Sequence, residues 1–202
     1  MTVVHWHLAM KRHGRMPGKG DIMKRPPIIA ALAALLVIPL LTAADKPDYP
    51  KIIQKTLYAD DIRSKPAPDF HVESWLTSQP DRKGKVVIID FWATWCGPCR
   101  ATIPELNAFQ SKFKDDLVVI GVSDESPDVL KEFMRKTDMK YAVASDSTKQ
   151  MSQSIHVTGI PHVLIISTDG IVRWQGFPLS DEEPLTEELV KQVIDADPGV
   201  AA

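Results

Sequence analysis

Cysteine is nearly absent: the chain of 202 residues has two, Cys96 and Cys99. Two cysteines three apart exclude a disulfide framework, which needs cysteines spread along the chain. They also leave a structural zinc site short of ligands, since such a site takes four, commonly in two pairs. His156 and His162 do not complete a finger-like spacing, so no metal is expected, and no other cofactor is called for. Long apolar runs are scarce too. The charge-free stretch 28–41 falls short of the roughly 20 residues of a spanning helix. Internal repeats and low-complexity segments are missing. Positive charge is in short supply over most of the length. Residues 1–44 hold six Lys/Arg and one Asp, which leaves 18 basic and 25 acidic residues after them. So acidic a chain is a poor binder of nucleic acid, and solubility accounts for the charge. What remains is an ordinary globular composition, 44% hydrophobic and 25% charged,.

The N-terminal 44 residues have a pattern of their own. Lys24 and Arg25 precede the apolar run 28–41, and the small residues Thr42-Ala43-Ala44 follow it. That is the layout of a secretory signal, expected to be cut after Ala44 or Ala43. An uncleaved N-terminal membrane anchor is the competing expectation. Residues 1–22 fit neither part, whereas Met23 would begin a compact signal. Residues 1–22 are therefore expected to be a non-native or disposable leader, and its His5, His7 and His13 to have no metal role. The organisation expected is leader 1–22, signal or anchor 23–44, linker with a brief helix over 52–57 in 45–64, and a folded domain over 65–198. The location expected is extracytoplasmic, a bacterial periplasm or its equivalent.

Within the domain, 86–92 (VVIIDFW) is a continuous β-branched and apolar run, the pattern of a central strand buried on both faces. A helix is predicted over 97–113, with Ile103, Leu106 and Phe109 at helical spacing. A second buried strand follows over 117–122. The next helix spans 125–137 and aligns Val129, Leu130 and Phe133. Then come a short strand at 141–144 and a short helix at 148–155. Strands 163–167 and 171–175 flank the turn Thr168-Asp169-Gly170 as a hairpin. A last helix covers 184–196, with Leu185, Leu189, Val190 and Val193 apolar. Before all of these, Lys65-Pro66-Ala67-Pro68-Asp69-Phe70 is held extended by its prolines, and Phe70, Val72 and Trp75 supply an apolar edge. The order is βαβαβαββα. It predicts an α/β fold: a parallel core sheet with an antiparallel hairpin at one side, covered by helices.

Cys96-Gly97-Pro98-Cys99 straddles a strand-to-helix junction. Unpaired N–H groups and the positive dipole end gather at a helix N-terminus. Both favour a thiolate, so a Cys placed there has a lowered pKa. Cys96, at the exposed edge, is the expected nucleophile in disulfide exchange. Cys99, one turn further in, is placed to resolve the mixed disulfide. Proline costs nothing in the first turn of a helix. A purely structural disulfide is the bland alternative, but closing so short a loop gains little entropy.

Phe91-Trp92-Ala93-Thr94-Trp95-Cys96-Gly97-Pro98-Cys99-Arg100 resembles the active-site segment of thioredoxins. Asp90 stands six residues before Cys96, where that family keeps a buried acid. Pro104 lies five after Cys99, Gly159-Ile160-Pro161 resembles the cis-proline loop, and Asp169-Gly170 falls in the following hairpin turn. The apolar signal, the Lys65–Phe70 motif and the extra helix after the second core strand are similar to the TlpA/ResA-like extracytoplasmic branch. The resemblance spans roughly 65–197. It implies a thioredoxin fold and a buried proton acceptor and donor, Asp90, serving Cys99. A carboxylate satisfied by hydrogen bonds at the strand end is the plain alternative for Asp90. It further implies that Trp95, Gly97, Pro98, Ile160 and Pro161 meet the substrate. Trp92 suits either the active-site surface or the core. Two features depart from the family pattern. Thioredoxins often place a Lys near the buried acid on the next strand, and 117–123 has none. His162 follows Pro161, where it could tune the thiolate electrostatically, but it is expected to be a partly exposed strand residue.

The function implied is dithiol/disulfide exchange on disulfides of substrate proteins, in the reducing direction, for example in cytochrome c maturation. A membrane or periplasmic thiol would supply the electrons. An oxidising role, a thiol peroxidase of peroxiredoxin type and a non-catalytic thiol-binding or chaperone module are the rivals. For a peroxidase, neither cysteine has the usual Thr three residues earlier: those positions hold Ala93 and Cys96.

Overall fold

Val86-Val87-Ile88-Ile89-Asp90-Phe91 forms strand β2 (Val86–Phe91), and all but Val87 are buried. Successive side chains of a strand point to opposite faces, so a strand apolar at nearly every position needs cover on both. The computed structural model, which describes residues 48–200, supplies that cover. The leader and the signal or anchor expected over 1–44 lie outside the described residues. Around β2 stand β1 (Ser74–Trp75), β3 (Leu117–Ser123), β4 (Ala142–Ser145), β5 (His162–Ile166) and β6 (Val172–Gly176), in the sheet order β1-β4-β3-β2-β5-β6. β2, β3 and β4 are parallel neighbours, while β5, β6 and β1 are antiparallel to theirs.

Helices α1 (Gly97–Lys112), α2 (Pro127–Met134) and α4 (Glu187–Ala196) share one core with Val86, Ile88 and Trp92. Helix α3 (Gln150–Ser154) and residues of the N-terminal segment share the other core with Ile89 and Phe91. The result is a mixed six-stranded sheet between helices, the thioredoxin fold, with α2 inserted after the second core strand. The crossover α2–β4 occupies the place where the sequence pattern predicted an extra helix.

Three expectations need correction. The helix over 52–57 does not form, and the segment has no regular secondary structure. A helix would need an apolar face to bury, yet Ile52 and Ile53 remain 49% and 36% exposed. It is Lys55 that turns inward, pairing with Glu183 at 2.5 Å and lying 4.0 Å from the centre of the Trp174 ring. Helix α2 is shorter than 125–137, and Val129 faces outward at 46% exposure while Leu130 is buried. Strand β1 is an addition. Two residues are too few for any periodicity to reveal, and pairing of Ser74 with Ser145 and Trp75 with Ala144 on β4 defines it.

Gly121 is a close-approach glycine. It sits opposite Asp90 in the β2–β3 register, and a Cβ there would lie 2.9 Å from Trp92 Nε1 and 3.1 Å from Tyr141 Cε2. Gly121→Ala is therefore expected to destabilise the fold by about 1–3 kcal/mol through overpacking. Urea denaturation measures this, and a variant of unchanged midpoint would show that the two rings yield freely.

Candidate active site

The turn leaving β2 delivers Cys96 to the N-cap of α1. Its backbone carbonyl accepts Arg100 N–H at 3.1 Å, and its Sγ accepts Cys99 N–H at 3.2 Å. A sulfur thus occupies the position where a Ser or Asp oxygen usually satisfies the first turn. Cys96 and Cys99 form a disulfide with a Cα–Cα distance of 5.3 Å. Cys99 is fully buried and Cys96 is 4% exposed, so Cys96 sits deeper than its place at the helix edge suggested. Exposure is concentrated on its neighbours: Trp95 is 71% exposed, and Gly97 and Pro98 are exposed as well. Pro104 lies inside α1.

Two long-range contacts fix the frame around the disulfide. Glu125, after β3, accepts Thr94 N–H and Thr94 Oγ1–H, both at 2.7 Å. The residues just before Cys96 are thereby tied to the end of the neighbouring strand. From the other side comes the loop before β5. The Ile160–Pro161 peptide bond is cis, and the Ile160 carbonyl oxygen lies 3.8 Å from Cys96 Sγ. This loop is held by the N-terminal segment: Thr158 N–H donates to the Tyr58 carbonyl at 2.7 Å, and Asp60 N–H to the Ile155 carbonyl at 2.9 Å. Tyr58 also packs on Gly159, where an added Cβ would meet its Cβ and Cγ at 3.1 Å. Residues 48–64 are thus an ordered strap. Between Trp95 and this loop opens a pocket of about 310 Å³, lined by Ile160, Thr158, Ser152, Lys149 and Asp124 among others.

His162 is fully buried, contrary to the expectation of a partly exposed residue. It pairs with Phe91 across β2–β5. Its Nε2 lies 3.0 Å from Gln175 Nε2, and that amide also donates to the Asp60 carbonyl at 2.8 Å. The strap closes over this ring, which no local pattern could foretell. Burial, followed by the charge of Lys55, pushes the His162 pKa down to about 4, so the ring is neutral at physiological pH. Trp92 is 2% exposed and belongs to the core.

Asp90 points to the α1 side of the sheet, the side that holds Cys96 and Cys99. It is fully buried, and neither carboxyl oxygen has a hydrogen-bond partner among the described residues. Burial alone pushes its pKa up to about 7. The hydrogen-bonded carboxylate allowed for at the strand end is not what the geometry shows. Glu125, Tyr58 and Tyr141 escaped the sequence reading. Each acts across 20 to 100 residues or so, and a spacing rule such as the helical i, i+4 relation reaches only four.

A solved structure of a thiol:disulfide interchange protein of Chlorobium tepidum, a thioredoxin-family protein, superposes with a TM-score of 0.53 at 26% identity, covering 66% of this chain and 99% of that one. The thiol-disulfide oxidoreductase ResA of Bacillus thuringiensis subsp. konkukian is 33% identical over 132 residues, 63% of this chain and 76% of its own length. The thiol:disulfide interchange protein HelX of Rhodobacter capsulatus is 28% identical over 127 residues, 61% of this chain and 66% of its own. With the Cys96–Cys99 pair at the head of α1, these similarities define a thiol–disulfide oxidoreductase of thioredoxin fold, ResA-like in type. Residues 64–175 match the AhpC/TSA family, and the chain belongs to that family.

The raised Asp90 pKa has a sign for stability. Between its ordinary value of 3.8 and about 7, the folded protein keeps a proton that the unfolded chain has released,. Stability therefore falls as pH rises through that window and levels off above it, by an amount on the order of 4 kcal/mol. Asp90→Asn is expected to flatten the decline. Urea denaturation of both proteins from pH 4 to pH 8 tests this, and parallel curves would count against it.

Proposed function

We propose that the protein reduces disulfides of partner proteins outside the cytoplasm, with Cys96 as the attacking thiolate and Cys99 as the resolving thiol. The observation that carries this reading is the N-cap position of Cys96, whose sulfur receives the Cys99 N–H at 3.2 Å. A donor already aimed at the sulfur favours the charged form that attacks.

In the reaction, the reduced Cys96 thiolate attacks one sulfur of a substrate disulfide. A mixed disulfide forms, and the other substrate sulfur leaves as a thiolate. Cys99 then loses its proton to Asp90 and attacks Cys96 Sγ. The second substrate sulfur leaves, and the Cys96–Cys99 disulfide remains. Two electrons have passed to the substrate, and a membrane or periplasmic thiol returns them. A carboxyl with pKa near the working pH is suited to exchange that proton,. The Ile160 backbone would lie along the substrate strand, held there by Pro161, with Trp95, Gly97 and Pro98 as the exposed contact surface.

The reducing direction is supported by the Gly97-Pro98 pair, which resembles that of reducing thioredoxins, and by similarity to the TlpA/ResA-like branch. That similarity also supports a place in cytochrome c maturation. The apolar segment within 23–44 supports export, whether it is cut or kept as an anchor, with 65–198 as the working domain.

Cys96→Ser is expected to bring disulfide reduction to background. Cys99→Ser should accumulate substrate proteins as mixed disulfides on Cys96, visible on non-reducing gels. The reduction potential of the pair is expected near the thioredoxin end, about −270 mV, and a value near −120 mV would make the protein an oxidant. Peroxide consumption outpacing disulfide exchange would overturn the reading in favour of a peroxidase.

A further inference from the structure

Beside Asp90, on the α1 side of the sheet, stand two donors with nothing to donate to. Trp92 and Tyr141 are 2% and 3% exposed, and Trp92 Nε1 and the Tyr141 hydroxyl, like both Asp90 oxygens, have no partner among the described residues. The three side chains converge on Gly121. Asp90 is its register partner on β2, and the space over its Cα is bounded by Trp92 Nε1 and the Tyr141 ring. The Tyr141 pKa is raised, by burial first and by the charge of Asp90 second. An indole N–H, a phenol O–H and a carboxyl are chemically complementary. Left unpaired, each buried group opposes folding. An internal water typically makes two to four hydrogen bonds to such groups and removes that penalty.

We propose that Asp90, Trp92 and Tyr141 hold one internal water between their unpaired polar atoms, and that Tyr141 is thereby a positioning residue that sets the proton affinity of Asp90. The indole and phenol donate to the water oxygen, and the water donates to the carboxylate. This pattern stabilises the ionised acid and weakens when Asp90 is protonated, because a neutral carboxyl oxygen accepts less strongly than a carboxylate. The chain thus uses a neutral hydroxyl where β3 offers no lysine. The water site rests on these unpaired buried atoms and their shared approach to Gly121, and its effect on the reaction rests on the reading of Asp90 as proton acceptor for Cys99.

The charged and titratable neighbours are few. From α1 come Cys96 and Cys99, while Glu105 of the same helix is partly buried, its pKa raised by burial alone with no part for Asp90. β3 offers Gly121 and β5 offers Val163 in the Asp90 row. α2 contributes Leu130 and Phe133 to this core, and α4 contributes Val190 and Val193. His162 lies on the opposite face with Phe91.

The test uses the whole protein. The Asp90 carboxyl carbon is titrated by NMR in the wild type and in Tyr141→Phe, and the midpoint is expected to rise by about 0.5–1 pH unit in the variant, the direction for loss of a donor to the charged form. An unchanged or lowered midpoint overturns the role of Tyr141. In the wild type, cross-relaxation from a long-lived water to the Trp92 indole proton is expected, and its absence overturns the water site even if the variant fails to fold. Stability separates the cases again: removing a truly unpaired buried hydroxyl would make Tyr141→Phe more stable at every pH, which also overturns the proposal. If Asp90→Asn leaves the pH–rate profile of disulfide exchange unaltered, the acid has no part in the reaction, and the NMR results still decide the water site on their own.

Discussion

Unpaired N–H groups at the start of a helix act on a single atom only if that atom is held in place, and here it is the sulfur of Cys96. A helix N-terminus supplies the same field to whatever stands before it. What makes it specific is the set of restraints on the turn between β2 and α1. β2 is locked between β3 and β5. Thr94 is gripped twice by Glu125. The Ile160 carbonyl bounds the sulfur on its open side.

The second constraint runs the other way. Placing a carboxyl near the end of a strand buried on both faces opposes folding at neutral pH,. The surrounding groups leave Asp90 with neither a cation nor a direct hydrogen bond among the described residues. Such a residue is a poor choice for stability and a good one for moving a proton near neutral pH. The two constraints meet at Cys99, whose N–H serves the helix cap while its side chain shares a core with Asp90.

Most of the fold was legible because its elements are driven by local patterns. The run at 86–91, the helical spacing of Ile103, Leu106 and Phe109, and the Asp169-Gly170 turn each declare themselves within a few residues. Gly170 has the positive φ of +81° that such a turn favours,. Failures came where a neighbour distant in sequence decides the outcome. The apolar residues of 52–57 predict a brief helix, but it is Lys55 that goes inside, drawn by Glu183 and Trp174. The sequence predicts a partly exposed His162, and the strap seals it. For the site, the motif and the resemblance brought forward the two cysteines, Asp90 and Pro161. Glu125, Tyr58 and Tyr141 carry no local mark.

The strap also bears on the order in which the chain can assemble. Ile62 bonds to Gln175 across 113 residues, Asp60 to the same side chain across 115, and Lys55 to Glu183 across 128. During synthesis the strap leads, and the edge it settles on is among the last parts to be made. Contacts of such separation close late, because the loop entropy must be met before they form. The loop beside the sulfur of Cys96 therefore gets its buttress from a segment that must wait for residues made some 100 positions later, Ile155 and Thr158 among them.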